Sequence, residues 1–195
     1  MTLEGTVKDG KLKLSGATIK IMQNGQQVKS ATTAGNGKFI IDVPLGKNYK
    51  VVFSKPGYVS KRLAIDATSV PENQWLDKHG FPMEVSLFEK MEGLDVSILK
   101  NPIGRIAYNK KDGYFDYDEA YTRMIQDKLA KLKKELAAKL KAEEAYKNAI
   151  AGADRMFQQN NFSEAKKMYS KAAGIKPAEQ YPKDRIALID KKLGA

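Results

Sequence analysis

The sequence contains no cysteine, and this absence removes several kinds of chemistry at once. Disulfide frameworks, cysteine-ligated zinc and thiol catalysis all need a thiol. Histidine and tryptophan occur only once each among the 195 residues. No apolar run approaches the roughly 18 residues of a membrane-spanning helix. The missing thiol therefore excludes disulfides, cysteine-ligated zinc and thiol catalysis, and the function has to come from other residue types.

Acidic residues are outnumbered, because 34 lysines and arginines face 23 aspartates and glutamates and the net charge is +11. A basic excess favours acidic partners such as nucleic acid, anionic lipid, acidic glycans or an acidic protein. The same excess also keeps a protein soluble when it has no such partner. Since no nucleic-acid-binding motif accompanies the charge, nucleic acid ranks behind a protein partner and a glycan.

Two strand signals between residues 32 and 58 organise the chain. The triplet Gly35-Asn36-Gly37 predicts a tight turn, because glycine and asparagine tolerate a positive φ. Residues 38–43 and 48–54 then read as strands bounded by proline and glycine. Two such strands cannot shield each other from water, so a second sheet is predicted to cover them.

Further short alternating segments precede and follow this pair, at residues 3–8, 17–22, 26–32, 59–65 and 83–88. The dipeptide Asn24-Gly25 predicts a type I′ hairpin. Short strands with frequent turns predict an antiparallel β-sandwich. Its predicted core consists of Leu3, Val7, Ile19, Ile21, Phe39, Ile41, Val43, Tyr49, Val51, Phe53, Leu63 and Ile65.

An ordered set of glycine and apolar positions runs through the same region. It comprises Gly5-x-Val7, Leu14-x-Gly16-Ala17-x-Ile19, Thr33-x-Gly35-x-Gly37-x-Phe39, Pro44-x-Gly46-x-x-Tyr49 and Gly57-Tyr58. This set resembles the carboxypeptidase regulatory-like domain. The resemblance implies a transthyretin-like β-sandwich and a non-catalytic accessory domain, common in exported and cell-envelope proteins of Bacteroidetes-type bacteria. It carries over no catalytic residue and no cofactor.

The long loop at residues 66–82 holds the single tryptophan and the single histidine. Trp75 has two interpretations, a plug that closes the end of the sandwich or a platform on which a sugar or peptide stacks. His79 could act as a metal ligand only if carboxylates such as Asp77 or Glu72 converged on it. A hydrolase would also need a nucleophile motif, which this loop lacks.

A small hairpin is predicted at residues 103–117, and it is rich in tyrosine. Tyr108, Tyr114 and Tyr117 would either contact a glycan or nucleic acid or hold the hairpin against the following helix. Nearby acids fail the spacing of a calcium loop, and Asp116 or Asp118 as a helix N-cap accounts for them.

From residue 118 to about residue 146 the sequence has neither glycine nor proline and predicts one long helix. Ile125, Leu129, Leu132 and Leu136 begin a coiled-coil spacing that Lys139 interrupts. Lysines, among them Lys131 and Lys134, form a stripe that either meets a partner or is a solvated helix surface.

Residues 145–177 resemble a tetratricopeptide repeat through Ala153, Phe157, Phe162, Ala165, Tyr169, Ala172 and Pro177. Asn160-Asn161 is predicted to turn between two helices, and Pro182 to begin a last helix that covers the repeat. The resemblance implies a surface that binds a peptide or helix of a protein partner.

The sequence therefore predicts an α+β chain in two parts, an antiparallel β-sandwich followed by an α-helical hairpin stack. The boundaries are a sandwich at 1–90, a connector with the hairpin at 91–117 and helices at 118–195. The predicted function is a non-enzymatic protein-interaction or scaffold module of the bacterial cell envelope, without cofactor or metal. Because no signal segment precedes Leu3, we expect a mature exported form in the periplasm or at the outer membrane, or a cytosolic protein. A glycan-binding accessory domain that uses Trp75 and the hairpin is the alternative.

Overall fold

The computed structural model describes residues 1–194, and these residues form two compact units. The first unit comprises residues 1–132 and the second begins at Lys133. The strands are β1 (Thr2–Asp9), β2 (Leu12–Lys13), β3 (Thr18–Gln23), β4 (Gln26–Thr32), β5 (Lys38–Asp42), β6 (Asn48–Ser54), β7 (Lys61–Asp66), β8 (Gly80–Leu87), β9 (Arg105–Asn109) and β10 (Tyr114–Tyr117). The helices are α1 (Glu119–Gln158), α2 (Phe162–Ile175) and α3 (Tyr181–Leu193), and two 3₁₀ helices span Glu72–Gln74 and Ser97–Lys100.

The strands form two sheets. In one sheet β1 pairs with β8 along residues 2–9, with β5 at residues 2–6 and with β2 at residues 8–9. The other sheet has the order β10-β9-β7-β6-β3-β4. The hairpin predicted for the connector belongs to this second sheet, because β9 pairs with β7.

The prediction that every strand pair is antiparallel was wrong for two pairs. β1 with β8 and β7 with β9 run parallel, so both sheets are mixed. The local turns enforce antiparallel neighbours, whereas a long connection can bring a strand back in either direction. Residues 67–79 form such a connection ahead of β8.

The interior of the first unit contains all twelve residues of the predicted core. Eight of them are at most 1% exposed, with Leu3, Val7 and Phe53 at 0%. Phe39 and Phe53, one from each sheet, meet edge to face with ring centroids 5.8 Å apart. The period-2 alternation therefore identified the inward side chains correctly, because successive side chains of a strand point to opposite faces.

Turn chemistry also follows the sequence. Asn24 and Gly25 both have positive φ values, 49° and 82°, and connect β3 to β4 as the hairpin prediction requires. At the start of α1 the side chain of Asp118 accepts a hydrogen bond from the Tyr121 N–H at 3.0 Å. Asp118 thus caps the helix and satisfies one of the amides that lack a partner in the first turn.

Helix α1 is a single helix of 40 residues and continues beyond the predicted end near residue 146. The helix continues through Gly152. A single glycine destabilises a helix by only about 1 kcal/mol, which is too little to end it. Ile125 and Leu132 on this helix are each 7% exposed, whereas Leu140 is 52% exposed. None of the helices among the described residues has the length and apolar character needed to cross a membrane.

The second unit is built around Ala153 on α1, Ala165 and Tyr169 on α2, and Ile189 on α3, all fully buried. The turn between α1 and α2 contains Asn160 at φ 59°, as the asparagine pair predicted. Three helices therefore follow the mixed-sheet β unit along the chain.

Candidate functional site

Trp75 combines features of both interpretations that the sequence left open. Its indole Nε1–H donates to the carbonyl of Val70 at 3.1 Å. Its ring lies against Gly46, where an added Cβ would be 2.9 Å from Cζ2. The side chain is nevertheless 45% exposed. Trp75 is therefore fixed on the surface of the β unit with part of its ring accessible.

The single histidine is held in an aromatic cluster. The His79 ring meets Tyr108 and Phe115 edge to face, with centroids 5.6 and 5.8 Å away. Its Nε2 lies 2.9 Å from the carbonyl oxygen of Gln74. Throughout residues 1–194, side chains that could bind a metal do not gather in groups of three or more. These contacts give His79 a packing role.

The three tyrosines of the hairpin occupy different environments. Tyr108 is 6% exposed and donates its hydroxyl to Oε1 of Gln74, so it belongs to the core and not to the predicted partner-binding set. Tyr114 and Tyr117 are 52% and 44% exposed. Tyr117 also packs edge to face on Phe81 at 5.3 Å. Tyr121 of α1 joins the helix to the segment ahead of the hairpin, because its hydroxyl donates to the Pro102 carbonyl at 2.8 Å.

Tyr117 lines a cleft of about 470 Å³ at the start of α1. The cleft, called the Tyr117 cleft below, is lined by Leu63, Ile103, Gly104, Tyr117, Glu119, Thr122 and Arg123. Burial, and to a lesser degree the charge of Asp116, raises the pKa of the Tyr117 hydroxyl. The phenol therefore stays protonated and can donate a hydrogen bond at neutral pH. Glu119, Thr122 and Arg123 could not be assigned to a site from the sequence, because residues at the start of a helix with this composition resemble solvated helix surface.

Arg105 holds the wall of this cleft in place. Its guanidinium donates to Asp66 on β7 at 2.6 Å and lies 3.8 Å from Asp118, the cap of α1. Burial alone would raise the pKa of Asp66, but hydrogen bonds from Thr68 and Arg105 outweigh it and lower the pKa. Strand β9 and the start of α1 are thus tied to β7.

In the second unit a polar network joins α1, α2 and α3. Asp154 accepts a hydrogen bond from the hydroxyl of Tyr169 and another from that of Tyr181, the latter at 2.7 Å. Arg185 donates through Nε to the Tyr169 hydroxyl at 3.1 Å. Its guanidinium lies 3.9 Å above the centroid of the Phe157 ring.

These side-chain contacts join α1 to α3 and define one surface, called the α1–α3 face below. It comprises Asp154, Phe157, Tyr181, Arg185 and Leu188. Tyr181, Arg185 and Leu188 recur at spacings of four and three, which places them on one side of α3. The spacing is visible in the sequence, where it predicts a helix that covers the repeat but does not by itself indicate a binding surface.

Lys131 and Lys134, the two lysines of the stripe that were predicted to contact a partner, are both exposed. Lys131 lies near Asp95, whose pKa is lowered first by hydrogen bonds from Ser97 and then by the charges of Lys131 and Lys100. Half-exposed Glu135 and Glu143 interrupt the stripe along α1.

Comparison with protein families identifies part of the chain. The family model described as "Carboxypeptidase regulatory-like domain" matches residues 2–74. The resemblance read from the glycine motifs is therefore confirmed for this segment, and with it a transthyretin-like, non-catalytic domain. The match covers less than half of the chain, and the tetratricopeptide-like resemblance of the helices is not confirmed. No curated protein matches the sequence.

Several solved structures are similar to part of the chain at low identity. The Bacillus anthracis TIE protein has 21% identity and a TM-score of 0.36, over 45% of this chain and 17% of that one. A type II Cohesin-X-Dockerin complex from Acetivibrio cellulolyticus has 18% identity and a TM-score of 0.32, over 46% and 58%. A 5-hydroxyisourate hydrolase from Klebsiella pneumoniae has 11% identity and a TM-score of 0.33, over 46% and 91%. The matched part thus spans less than two thirds of the first two structures, and such scores transfer no activity to this chain.

Proposed function

We propose that this chain is a non-enzymatic protein-interaction or scaffold module of the bacterial cell envelope. Its helices act as a tetratricopeptide-like unit that binds a peptide segment of a protein partner on the α1–α3 face. The β unit serves as a docking or spacer domain. The observation that carries the proposal is the arrangement of aromatic, aliphatic and charged side chains on that face.

The α1–α3 face has the composition of a binding surface. Tyr181 and Leu188 are 45% and 39% exposed, although both side chains are large and apolar or aromatic. Tyrosine and arginine are enriched at protein interfaces, where they supply most of the binding energy. Asp154 fixes the Tyr181 hydroxyl, and Phe157 fixes the guanidinium of Arg185. Side chains held in advance lose less entropy when a partner binds.

The packing behind this face supports a helical repeat. Ala153, Ala165 and Ala172 are fully buried and let the helices approach closely, while Tyr169 fills the space between them. Helical repeats of this kind leave one face open for binding. The coiled-coil spacing of α1 stays a separate prediction, because only Ile125 and Leu132 of its seam are buried.

Other observations support the two remaining parts of the proposal, the non-enzymatic role and the envelope location. Residues 2–74 match a family of non-catalytic accessory domains that are common in exported proteins. The ring of His79 packs against two aromatic rings, and its Nε2 lies at hydrogen-bond distance from the Gln74 carbonyl oxygen. Both points favour a binding role over catalysis.

Site-specific crosslinking tests this function. A photoreactive phenylalanine analogue at Leu188 should form a discrete adduct with one protein when the full chain is illuminated in an envelope fraction. The same analogue at Ser170, which is exposed on α2, should form none. Mass spectrometry of the adducts provides the measurement. Identical adducts from both positions, or no adduct from either, would contradict binding at the α1–α3 face.

The Tyr117 cleft supports a second candidate, the glycan-binding accessory domain. An aromatic ring beside a carboxylate, a hydroxyl and a guanidinium offers a sugar both an apolar surface and hydrogen-bonding groups of either kind. Tyr117, Glu119, Thr122 and Arg123 supply this set in one cleft. The accessible part of Trp75 is an additional aromatic surface on the same unit.

Tyr117→Ala should weaken binding to peptidoglycan fragments by about tenfold, since one aromatic anchor commonly contributes that much. Tyr114→Ala removes another exposed tyrosine of the same strand, one that does not line the cleft, so its affinity should equal that of the parent chain. Tyr117→Phe keeps the ring and should retain most of the affinity. Fluorescence anisotropy with labelled fragments measures all three, and equal losses in Tyr117→Ala and Tyr114→Ala would remove the glycan candidate.

A further inference from the structure

A groove of about 600 Å³ lies on the first unit between strands β3, β6 and β7 and the 3₁₀ helix Ser97–Lys100. Fourteen residues line it, among them five cationic side chains and no aspartate or glutamate. The cations are Lys20, Lys55, Arg62, Lys90 and Lys100. We call this feature the basic groove. Its cations come from five separate segments, so the fold itself brings them together.

The register of the sheet sets the spacing of two of these charges. Val52 on β6 is paired with Lys20 of β3 on one side and with Arg62 of β7 on the other. Lys20 and Arg62 therefore project from the same face, two strand spacings or about 10 Å apart. Their neighbours in sequence, Ile19 and Leu63, point into the core. The floor of the groove is thus a rigid part of the sheet.

Hydrogen bonds fix the walls as well. The Arg62 Nη1 donates to the carbonyl of Leu99 at 2.7 Å, and Leu99 itself is 2% exposed. The Lys55 Nζ donates to the Ser15 carbonyl at 2.6 Å. The Lys90 N–H donates to the Gly57 carbonyl at 2.9 Å. These bonds anchor both the turn after β6 and the segment after β8 beside the floor.

The described carboxylates form no direct ion pair with the cations of the groove, and the nearby Asp95 acts on Lys100 only through its charge. Within residues 1–194, none of its five cations lies within the 4.0 Å ion-pair distance of an aspartate or glutamate. Two acids beside the groove accept hydrogen bonds from other groups: Asp9 accepts from the Tyr58 hydroxyl at 3.2 Å, and Asp95 accepts from the Ser97 N–H at 2.9 Å. Like charges gathered in one concave site repel one another and raise the local concentration of anions.

We propose that the basic groove binds a small molecule that carries a phosphate group. A phosphate has a charge of about −1.5 to −2 and three strong acceptor oxygens, so it can meet several cations that approach from different directions. A carboxylate offers only two oxygens in one plane. The hydroxyls of Thr18, Ser54 and Ser60 add neutral donors to the lining.

The size and the remaining lining indicate an organic phosphate. The volume falls within the usual range for ligand pockets, roughly 300 to 1,000 Å³, and exceeds what one phosphate ion fills. Pro56, Val59, Val96 and Leu99 give the groove an apolar side for the rest of the molecule. This inference concerns the β unit alone and is independent of the proposed α1–α3 face.

Calorimetric titration of the full chain with pyrophosphate and with glucose 6-phosphate tests the inference. We expect one binding site per chain. The triple variant Lys20→Gln, Lys90→Gln, Lys100→Gln removes three exposed cations of the groove and should lower the affinity by at least about tenfold. The control variant Lys38→Gln, Lys47→Gln, Lys78→Gln removes the same charge from exposed positions that do not line the groove. Its affinity should equal that of the parent chain.

Cosedimentation with phosphatidylcholine vesicles, with and without phosphatidic acid, separates the two sources of the phosphate. Binding to the acidic vesicles alone, lost in the groove variant and kept in the control, would assign the phosphate to a lipid headgroup. Binding of the soluble phosphates with the same pattern would assign it to a free metabolite. Equal weakening in both triple variants, or no binding of the parent chain to any probe, would overturn the proposal.

Discussion

Gly5→Ala is expected to destabilise the β unit by about 3 kcal/mol, the upper range for overpacking a core. A Cβ at Gly5 would lie 1.9 Å from the carbonyl oxygen of Met83 and 2.9 Å from its carbonyl carbon. Both atoms belong to the backbone of β8, which pairs with β1 through eight consecutive residues. No rotation of a side chain can relieve this clash, so the two strands would have to separate.

Gly35→Ala is the matched control for this substitution. No atom lies within 4 Å of a Cβ built there, and its φ is not positive. Its effect should stay within about 1 kcal/mol, and a slight gain in stability is expected from the stiffer unfolded chain. Urea unfolding followed by the fluorescence of Trp75, the only tryptophan, reports on the β unit. Superimposable unfolding curves for Gly5→Ala and Gly35→Ala would contradict the close approach of β1 and β8.

The same strand pair shows where prediction from sequence ends. Alternation along a single strand determines which side chains point inward, and Val51 or Leu63 could be assigned to the core without knowing any neighbour. The partner of a strand after a long connection has no such local signal. The parallel pairing of β1 with β8 depends on how residues 67–79 return, and only the three-dimensional structure shows it.

The candidate sites illustrate the same limit from the side of function. Tyr117 could be chosen from the sequence because its hairpin is rich in tyrosine, but Tyr108 on the other strand of the same hairpin is buried in the core. Sequence patterns within a short segment cannot distinguish its tyrosines, although the folded sheet buries one and exposes another. The basic groove could not be predicted, because Lys20 and Lys100 are 80 positions apart and each resembles an ordinary solvated lysine.

Tyr169→Ala is expected to unfold α2 and α3 while leaving the β unit folded. Tyr169 is fully buried, and truncation of a buried aromatic side chain costs about 3–5 kcal/mol. Small helical units have a total stability of only about 5 kcal/mol. The substitution also removes one of the two tyrosine hydroxyls that donate to Asp154. Hydrogen exchange should show lost protection in α2 and α3, with protection in β1 and β6 unchanged.

Tyr169→Phe separates the hydrogen bonds of this residue from its packing. The ring remains, whereas the bonds to Asp154 and Arg185 are lost, so the expected loss is about 1–2 kcal/mol at neutral pH. Exchange rates in α2 and α3 should therefore lie between those of the parent chain and those of Tyr169→Ala. Equal protection in Tyr169→Phe and the parent chain would mean that the network contributes nothing to the stability of the helices.

The difference between the parent chain and Tyr169→Phe should also depend on pH in one direction. Burial, and next the hydrogen bond to Asp154, raises the pKa of the Tyr169 hydroxyl well above its ordinary value of 10.0. Below pH 10 the hydroxyl is protonated in both the folded and the unfolded state, and its full contribution is present. As the pH rises beyond 10, the unfolded chain releases this proton and the folded chain keeps it, so unfolding becomes more favourable. The stability of the parent chain should then fall toward that of Tyr169→Phe, and a difference that widened above pH 10 would contradict a buried, hydrogen-bonded phenol.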